Sequence, residues 1–249
     1  NNCMRVKLCI EYDGTNYVGW QKQKTGLSVQ NEIEISLKKI FKKEITLFVA
    51  GRTDSGVHAK EQVAHFDIDS KIEPSKISSA INFYLKGSNN RISILDSQEV
   101  DDSFHSRFSA RKRTYFYRIL NRKSPSPLLI NRTWFIPYSL DVHDMLEASK
   151  YLIGKHDFNS FRSSQCQAKN SVRSLDEINI SRKEDEIHFC ISARSFLHNQ
   201  VRIIVGSLVN IGRKYWKKDK IKEILAQKLR ASAGPTAPPH GLYLKKISY

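Results

Sequence analysis

Gly51-Arg52-Thr53-Asp54-Ser55-Gly56-Val57-His58-Ala59 is the stretch from which the rest of this chain can be read. It sets one carboxylate, Asp54, between two glycines, with a cation two positions before it. Glycines argue against a helix, where each costs about 1 kcal/mol relative to alanine. A carboxylate argues against a core strand. The stretch is therefore a loop whose backbone runs close to something. The apolar run at 45–50 reads as a buried strand, and residues 62–69 read as the next one. A loop held between strands suits a catalytic group on a rigid frame. It also suits a tight turn whose Asp bonds its own backbone, and the pattern alone leaves both readings standing.

Outward from this loop, Val6, Leu8, Ile10 and Tyr12 alternate as in a strand, and Asp13-Gly14 reads as a turn. The segment Tyr17-Val18-Gly19-Trp20-Gln21 is expected to expose two aromatics beside a loop, although Trp20 also suits a core. From Ser28, Val29, Ile33, Leu37, Ile40 and Phe41 recur at helical spacing. Pro74–Leu85 reads as a helix opened by proline, and 91–100 as a strand. The order β-α-β-β-α-β implies an antiparallel sheet with helices on one face. A second unit follows. Strand 113–121 carries Tyr115 and Tyr117 on one face, and helix 142–153 and an irregular stretch at 156–170 come next. Strands at 172–182 and 186–193, helices at 198–213 and 219–229, a loop at 233–239 and a strand at 241–248 complete it. The expected fold class is α+β, two RRM-like halves at 1–103 and 104–249 with antiparallel sheets and flanking helices.

Charge is the outlying bulk property. Of 249 residues, 41 are Lys or Arg and 25 Asp or Glu, for a net charge of +16. Such an excess attracts polyanions, and nucleic acid is the leading partner because each neutralised phosphate releases counterions. The competing explanation is a lysine-rich composition carried on helix faces, as at Lys38, Lys39, Lys42 and Lys43. The cysteines Cys3, Cys9, Cys166 and Cys190 have neither zinc-site nor disulfide-framework spacing, which points to a reducing compartment. No apolar run is long enough to span a membrane. The opening Asn-Asn-Cys-Met-Arg-Val-Lys does not read as a signal peptide. A cytoplasmic protein is expected.

Three constellations carry possible chemistry. Asp54 needs a nearby cation to stay ionised if it is a nucleophile. Lys112-Arg113-Thr114-Tyr115-Phe116-Tyr117-Arg118 interleaves cations with aromatics on a strand, which suits stacked bases and held phosphates. An ordinary half-buried strand has the same composition. Arg202, beside the apolar positions Val201 and Ile204, either turns inward to a carboxylate or lays its stem on the core. His198 at that helix start suits packing better than proton transfer. The run at 214–220 is a solvated face or an RNA contact.

The Gly51–Ala59 stretch resembles the G-R-T-D-x-G-V-H signature of the TruA family of tRNA pseudouridine synthases. Glu11-Tyr12-Asp13-Gly14-Thr15-Asn16-Tyr17-Val18-Gly19-Trp20-Gln21, Phe104-His105-Ser106-Arg107-Phe108-Ser109-Ala110 with Tyr115 after it, and the segment from Phe196 through Arg202 to Gly206 match further family motifs in order. The tail at 234–244 fits as well. The resemblance spans essentially the whole chain. It implies the pseudouridine synthase fold and isomerisation of uridine at positions 38, 39 and 40 of the tRNA anticodon arm. It implies Asp54 as the catalytic aspartate acting on the ribose, Tyr115 as the residue stacked on the target base, and Arg202 as the partner of Asp54. Arg52 would fill the place of the extruded nucleotide. Arg107, Lys112, Arg113 and His198 would be further RNA contacts. A homodimer is implied, with no cofactor and no metal, since nothing is oxidised and no group enters. The chemistry agrees, because a carboxylate can stabilise or trap the electron-poor sugar carbon while the base turns. The target must first leave its stack. Lys60-Glu61 and Leu85-Lys86-Gly87 depart from the family pattern and bear on loop geometry only. The rivals are a non-catalytic RNA-binding protein, a nucleoside glycosidase and a DNA-binding regulator. The first has no need of Asp54, so an activity assay separates it; the second would release free uracil and use more than one carboxylate; the third would carry a base-reading recognition helix, for which 198–213 is too apolar.

Overall fold

A computed structural model describes residues 3–87 and 91–249. Asn1 and Asn2 of the opening segment lie outside the described residues. The chain divides into two compact units. Unit one runs to Arg111 and regains Tyr243–Tyr249, and unit two is Lys112–Leu242. The division therefore falls eight residues beyond the expected 103/104 boundary, because the segment after residue 103 stays bonded to unit one: the Arg5 guanidinium donates to the carbonyls of Asp102 (2.7 Å) and Phe104 (2.6 Å).

Unit one begins β1 (Cys3–Tyr12), α1 (Val29–Phe41), β2 (Phe48–Val49), β3 (His58–Asp69), α2 (Pro74–Leu85), β4 (Ile92–Val100). This is the β-α-β-β-α-β order the periodicity implies. β1 lies between β4 and β3, antiparallel to both. Its alternation buries Val6, Leu8 and Ile10 fully, and Phe66 of β3, paired with Val6, meets Phe41 of α1 with ring centroids 6.2 Å apart. The helices therefore cover that face. Arg5, Lys7 and His65 project from the opposite one. α1 is capped by Ser28, whose Oγ accepts from the Asn31 N–H.

β2 is shorter than the apolar run at 45–50 suggests. The Leu47 N–H donates to the Glu34 carboxylate of α1 (3.0 Å) rather than to a strand, and Phe48 faces outward. The β2 pair occupies β3 only at Ala64 and His65, and the start of β3 is paired by β10 (Leu242–Ser248) at His58 and Ala59. The β10 pairing is parallel, so this sheet is mixed rather than wholly antiparallel.

In unit two, β5 (Lys112–Asn121) pairs antiparallel with β9 (Glu186–Ala193), β9 with β8 (Val172–Lys183), and β8 with β7 (Gly154–Asp157). β6 (Trp134–Ile136), not foreseen from the sequence, runs parallel to β5. The connection between them is long enough for a parallel return. α3 (Val142–Ser149) ends in a single 3-10 turn, α4 spans Gln200–Gly212 and α5 spans Lys220–Gln227. Tyr117, Ile119, Phe189 and Ile191 share one buried face of the sheet. α4 turns almost wholly apolar sides inward, with Ile203, Ile204, Val205, Leu208 and Ile211 all without solvent exposure.

Candidate active site

The Asp54 loop is held to the 13–20 segment of unit one. Gly19 and Asp54 form an isolated antiparallel bridge, and the Trp20 N–H donates to the Thr53 carbonyl (3.1 Å). The hydroxyls of Tyr12 and Thr53 lie 2.6 Å apart and are both buried. Gln62 Nε2 donates to the Gly51 carbonyl (2.8 Å), and Ser55 Oγ donates to the Tyr17 carbonyl (3.0 Å). The two segments approach so closely that a Cβ on Gly14 would sit 2.0 Å from the Val57 carbonyl oxygen. At Gly19, with φ +111°, a Cβ would lie 2.6 Å from the Thr53 oxygen. Within the loop the Val57 N–H donates back to the Asp54 carbonyl (3.1 Å), and Gly56 takes φ +82°. The turn reading is thus correct for the backbone. The Asp54 side chain is half-buried, Thr53 beneath it is buried, and Arg52 is exposed.

His58 closes the loop. Its Nδ1 accepts from the Gly14 N–H (2.9 Å) while the Asp13 carboxylate stands 3.3 Å away. One nitrogen cannot accept from an amide and also donate to a carboxylate. We assign the acceptor role, because a backbone amide always carries its proton. Asp13 has other partners: Arg91 Nη1 at 2.7 Å and both the N–H and hydroxyl of Thr15. Tyr17, expected at the surface, is 5% exposed, and Trp20, which suits either a surface or a core, is 1% exposed. Trp20 packs beside Tyr12 with centroids 6.1 Å apart and so stiffens the loop floor.

In unit two, Tyr115 sits on β5 opposite Ile191, half-buried and edge-on to Phe196 (5.2 Å, 85°). Tyr117, on the same face of the strand, is buried, and its hydroxyl donates to the Pro238 carbonyl (2.7 Å). Burial pushes its phenol well above the ordinary range, with Arg202 acting weakly the other way. The segment it anchors is clasped to α4. The Ala237 N–H donates to the Arg202 carbonyl (3.0 Å), and Arg202 Nε donates to the Ala237 carbonyl (2.7 Å). Arg202 Nη1 lies 3.2 Å from Asn199 Oδ1. Backbone contact replaces side chains here, since a Cβ on Gly206 would fall 1.8 Å from the Pro235 oxygen. Tyr117 thus links the strand that carries Tyr115 to the 233–239 segment, which Arg202 holds from α4. α4 begins at Gln200 rather than at 198 because Asn199 takes φ +64° and the Leu197 N–H bonds to Gln200 Oε1 (2.8 Å).

The remaining expected contacts are dispersed. Arg113 Nη1 donates to the Arg194 carbonyl (2.6 Å), and Lys112 is half-buried beside it on β5. Arg107 is exposed in unit one with its guanidinium over Phe108, 5.5 Å from the ring centroid. His198 is exposed, its carbonyl accepting from the Ser163 N–H. Tyr12, Asp13, Gly14 and Gln62 hold the Asp54 loop, and Asn199 lies against Arg202, yet sequence reasoning gives none of them that role. The Gly14–His58 bond spans 44 residues, and periodicity does not mark it.

Residues 8–109 and 148–249 match the family model described as tRNA pseudouridine synthase. The chain belongs to the tRNA pseudouridine synthase family. It is 48% identical over 248 residues to tRNA pseudouridine synthase A of Anaplasma phagocytophilum (strain HZ), covering 99% of this chain and 100% of that protein. It is 49% identical over 247 residues to the protein of the same name from Wolbachia pipientis wMel, with coverage of 99% and 100%. A third such protein, from Ehrlichia chaffeensis (strain ATCC CRL-10679 / Arkansas), is 47% identical over 247 residues. The matched segments of the synthase family hold the Asp54 loop and α4, and they flank β5 on either side.

Proposed function

We propose that this protein isomerises uridine to pseudouridine at positions 38, 39 and 40 of the tRNA anticodon arm, with Asp54 as the catalytic carboxylate. The observation that carries the reading is a half-buried Asp54 on a loop bolted by buried bonds to Thr53, Gly51 and His58, in a chain of the tRNA pseudouridine synthase family. The target nucleotide leaves its stack at a cost of a few kcal/mol. The Asp54 carboxylate acts on the ribose C1′ as the glycosidic bond to N1 breaks, with the bonding pair leaving on the base. The base turns, C5 bonds to C1′ as the carboxylate is released, the C5 proton goes to solvent, and N1 takes up a proton, so the net change is an isomerisation. Tyr115 stacks on the detached base and is placed to take part in proton transfer. Arg202 is the counter-ion of Asp54, and Arg52 occupies the space of the extruded nucleotide. Arg107, Lys112, Arg113 and His198 contact RNA. The active form is a homodimer that needs no cofactor, because the reaction neither changes oxidation state nor adds atoms.

Asp54→Asn removes the charge and keeps the volume. It should abolish tritium release from 5-tritiated uridine in tRNA while leaving tRNA binding within about twofold. Continued release at the wild-type rate would overturn the assignment. Mapping carbodiimide adducts on unmodified transcripts tests the three positions, and light scattering tests the dimer.

A further inference from the structure

In the run Arg213-Lys214-Tyr215-Trp216-Lys217-Lys218-Asp219-Lys220 five of eight residues are cations, two are aromatic and one is acidic. It follows α4 in unit two. Arg202 lies near the start of that helix, so at 1.5 Å per residue Arg213 stands about 16 Å further along its axis. Tyr215 is 70% exposed, yet it is not on a loose tail. The Tyr215 and Trp216 N–H groups both donate to the Asn210 carbonyl (3.1 and 3.0 Å), and the Lys214 N–H donates to the Ile211 carbonyl (3.0 Å). Lys214 takes φ +66°, and its ammonium grips Asp141 (2.7 Å) and Asp144 at the start of α3.

This framework presents a fixed aromatic surface. Tyr215 and Trp216 stack at 6.1 Å with 25° between their planes. The Arg213 guanidinium lies 4.6 Å from the Tyr138 centroid and 5.7 Å from that of Tyr215, and the Lys220 ammonium lies 5.7 Å from Trp216. Lys214, Lys218 and Lys220 are engaged by Asp141, Asp144 and Glu223. Arg213 and Lys217 are exposed and form no ion pair among the described residues. Two uncompensated cations beside a large ring held rigid before binding is the composition that grips a nucleic acid strand: phosphates to the cations, a base to the ring. A second copy of this chain fits less well, since a two-fold contact would set these cations against themselves.

We propose that this turn is a second contact surface for the RNA substrate, away from the reacting uridine, with Arg213 and Lys217 on phosphates and Tyr215 against an unpaired base. The choice of tRNA as the RNA rests on the proposed function. Filter binding and steady-state kinetics on an unmodified full-length tRNA transcript test it. Tyr215→Ala and the double variant Arg213→Ser/Lys217→Ser should each raise Kd and KM about fivefold or more, and Tyr215→Trp should restore most of the loss. The double variant should also lower the slope of log affinity against log salt by one to two. Because Tyr215, Arg213 and Lys217 are exposed, folding is preserved, and thermal melts check that it is. An unchanged Kd in both variants would overturn the proposal. So would unchanged RNA affinity accompanied by a drop in mass in light scattering, which would make the turn a self-association surface. If the wild type binds tRNA but does not isomerise uridine, the proposed function fails, while the binding comparison still reads the turn.

Discussion

Arg202 uses its Nε and Nη1 on Ala237 and Asn199, so its direction is fixed by the protein before any substrate arrives. Its proposed task as counter-ion to Asp54 sets an expected outcome. Arg202→Met should lower kcat, and Arg202→Lys, which keeps a cation there, should recover part of the loss. Equal losses in the two variants would sink the pairing. A second residue sets the pH behaviour of the fold itself. His65 is buried, with its Nδ1 accepting the Ser106 N–H (3.1 Å) beside the Ser106 hydroxyl (2.6 Å). Burial, then the neighbouring His105 and Arg5, lower it to about 4. An unfolded histidine titrates near 6.5, so between those values the unfolded chain holds a proton that the folded chain does not. Stability is therefore complete above about pH 6.5 and falls as pH drops toward 4, by roughly 3 kcal/mol at most. Urea midpoints for His65→Gln should show a flatter dependence across that window than the wild type.

The elements show what local pattern can and cannot specify. α2 spans Pro74–Leu85, as the proline and the apolar spacing of Ile77, Ile81 and Leu85 require, and β9 spans Glu186–Ala193, as its β-branched and aromatic residues require. β2 falls short of the apolar run at 45–50 because Glu34, on the preceding helix, takes the N–H of Leu47, a contact the sequence does not show. β6 carries no sequence signal, because three residues give no period. Tyr17 is buried although the sequence suggests exposure, because its cover, the floor of the Asp54 loop, comes from residues about 35 positions away (a long-range contact of the kind that periodicity does not encode). The Asp54 loop itself was legible from its two glycines, whereas the clasp around Arg202 was not. That clasp is open to test. Gly206→Ala would force a methyl toward the Pro235 oxygen, so overpacking should cost about 1–3 kcal/mol. By displacing Ala237 it should also lower kcat. A thermal melt and a single-turnover assay would read both effects, and lost stability with an intact kcat would detach the clasp from catalysis.

For the whole molecule, the net charge of +16 gives the most direct expectation. If six or more phosphates are neutralised, tRNA affinity should fall by about 10³-fold between 50 and 200 mM salt. Filter binding over that range would show it, and a flat response would mean that the lysines are mostly solvated helix decoration. No helix among the described residues is long and apolar enough to cross a membrane. The α+β class was legible from the order of the elements.

Unit one has a further property that follows from its topology. β10 lies along the start of β3, next to His58, and Tyr249 donates its hydroxyl to the Ser106 carbonyl (2.7 Å). Those residues are translated only after the whole of unit two. A ribosome that has delivered α2 and β4 has therefore made the aspartate loop but not the strand that closes the edge beside it. Domains usually fold in the order in which they emerge. Here the amino-terminal unit has to wait for residues that follow the second one, so a nascent chain holds the Asp54 loop in an unfinished frame until β10 has emerged.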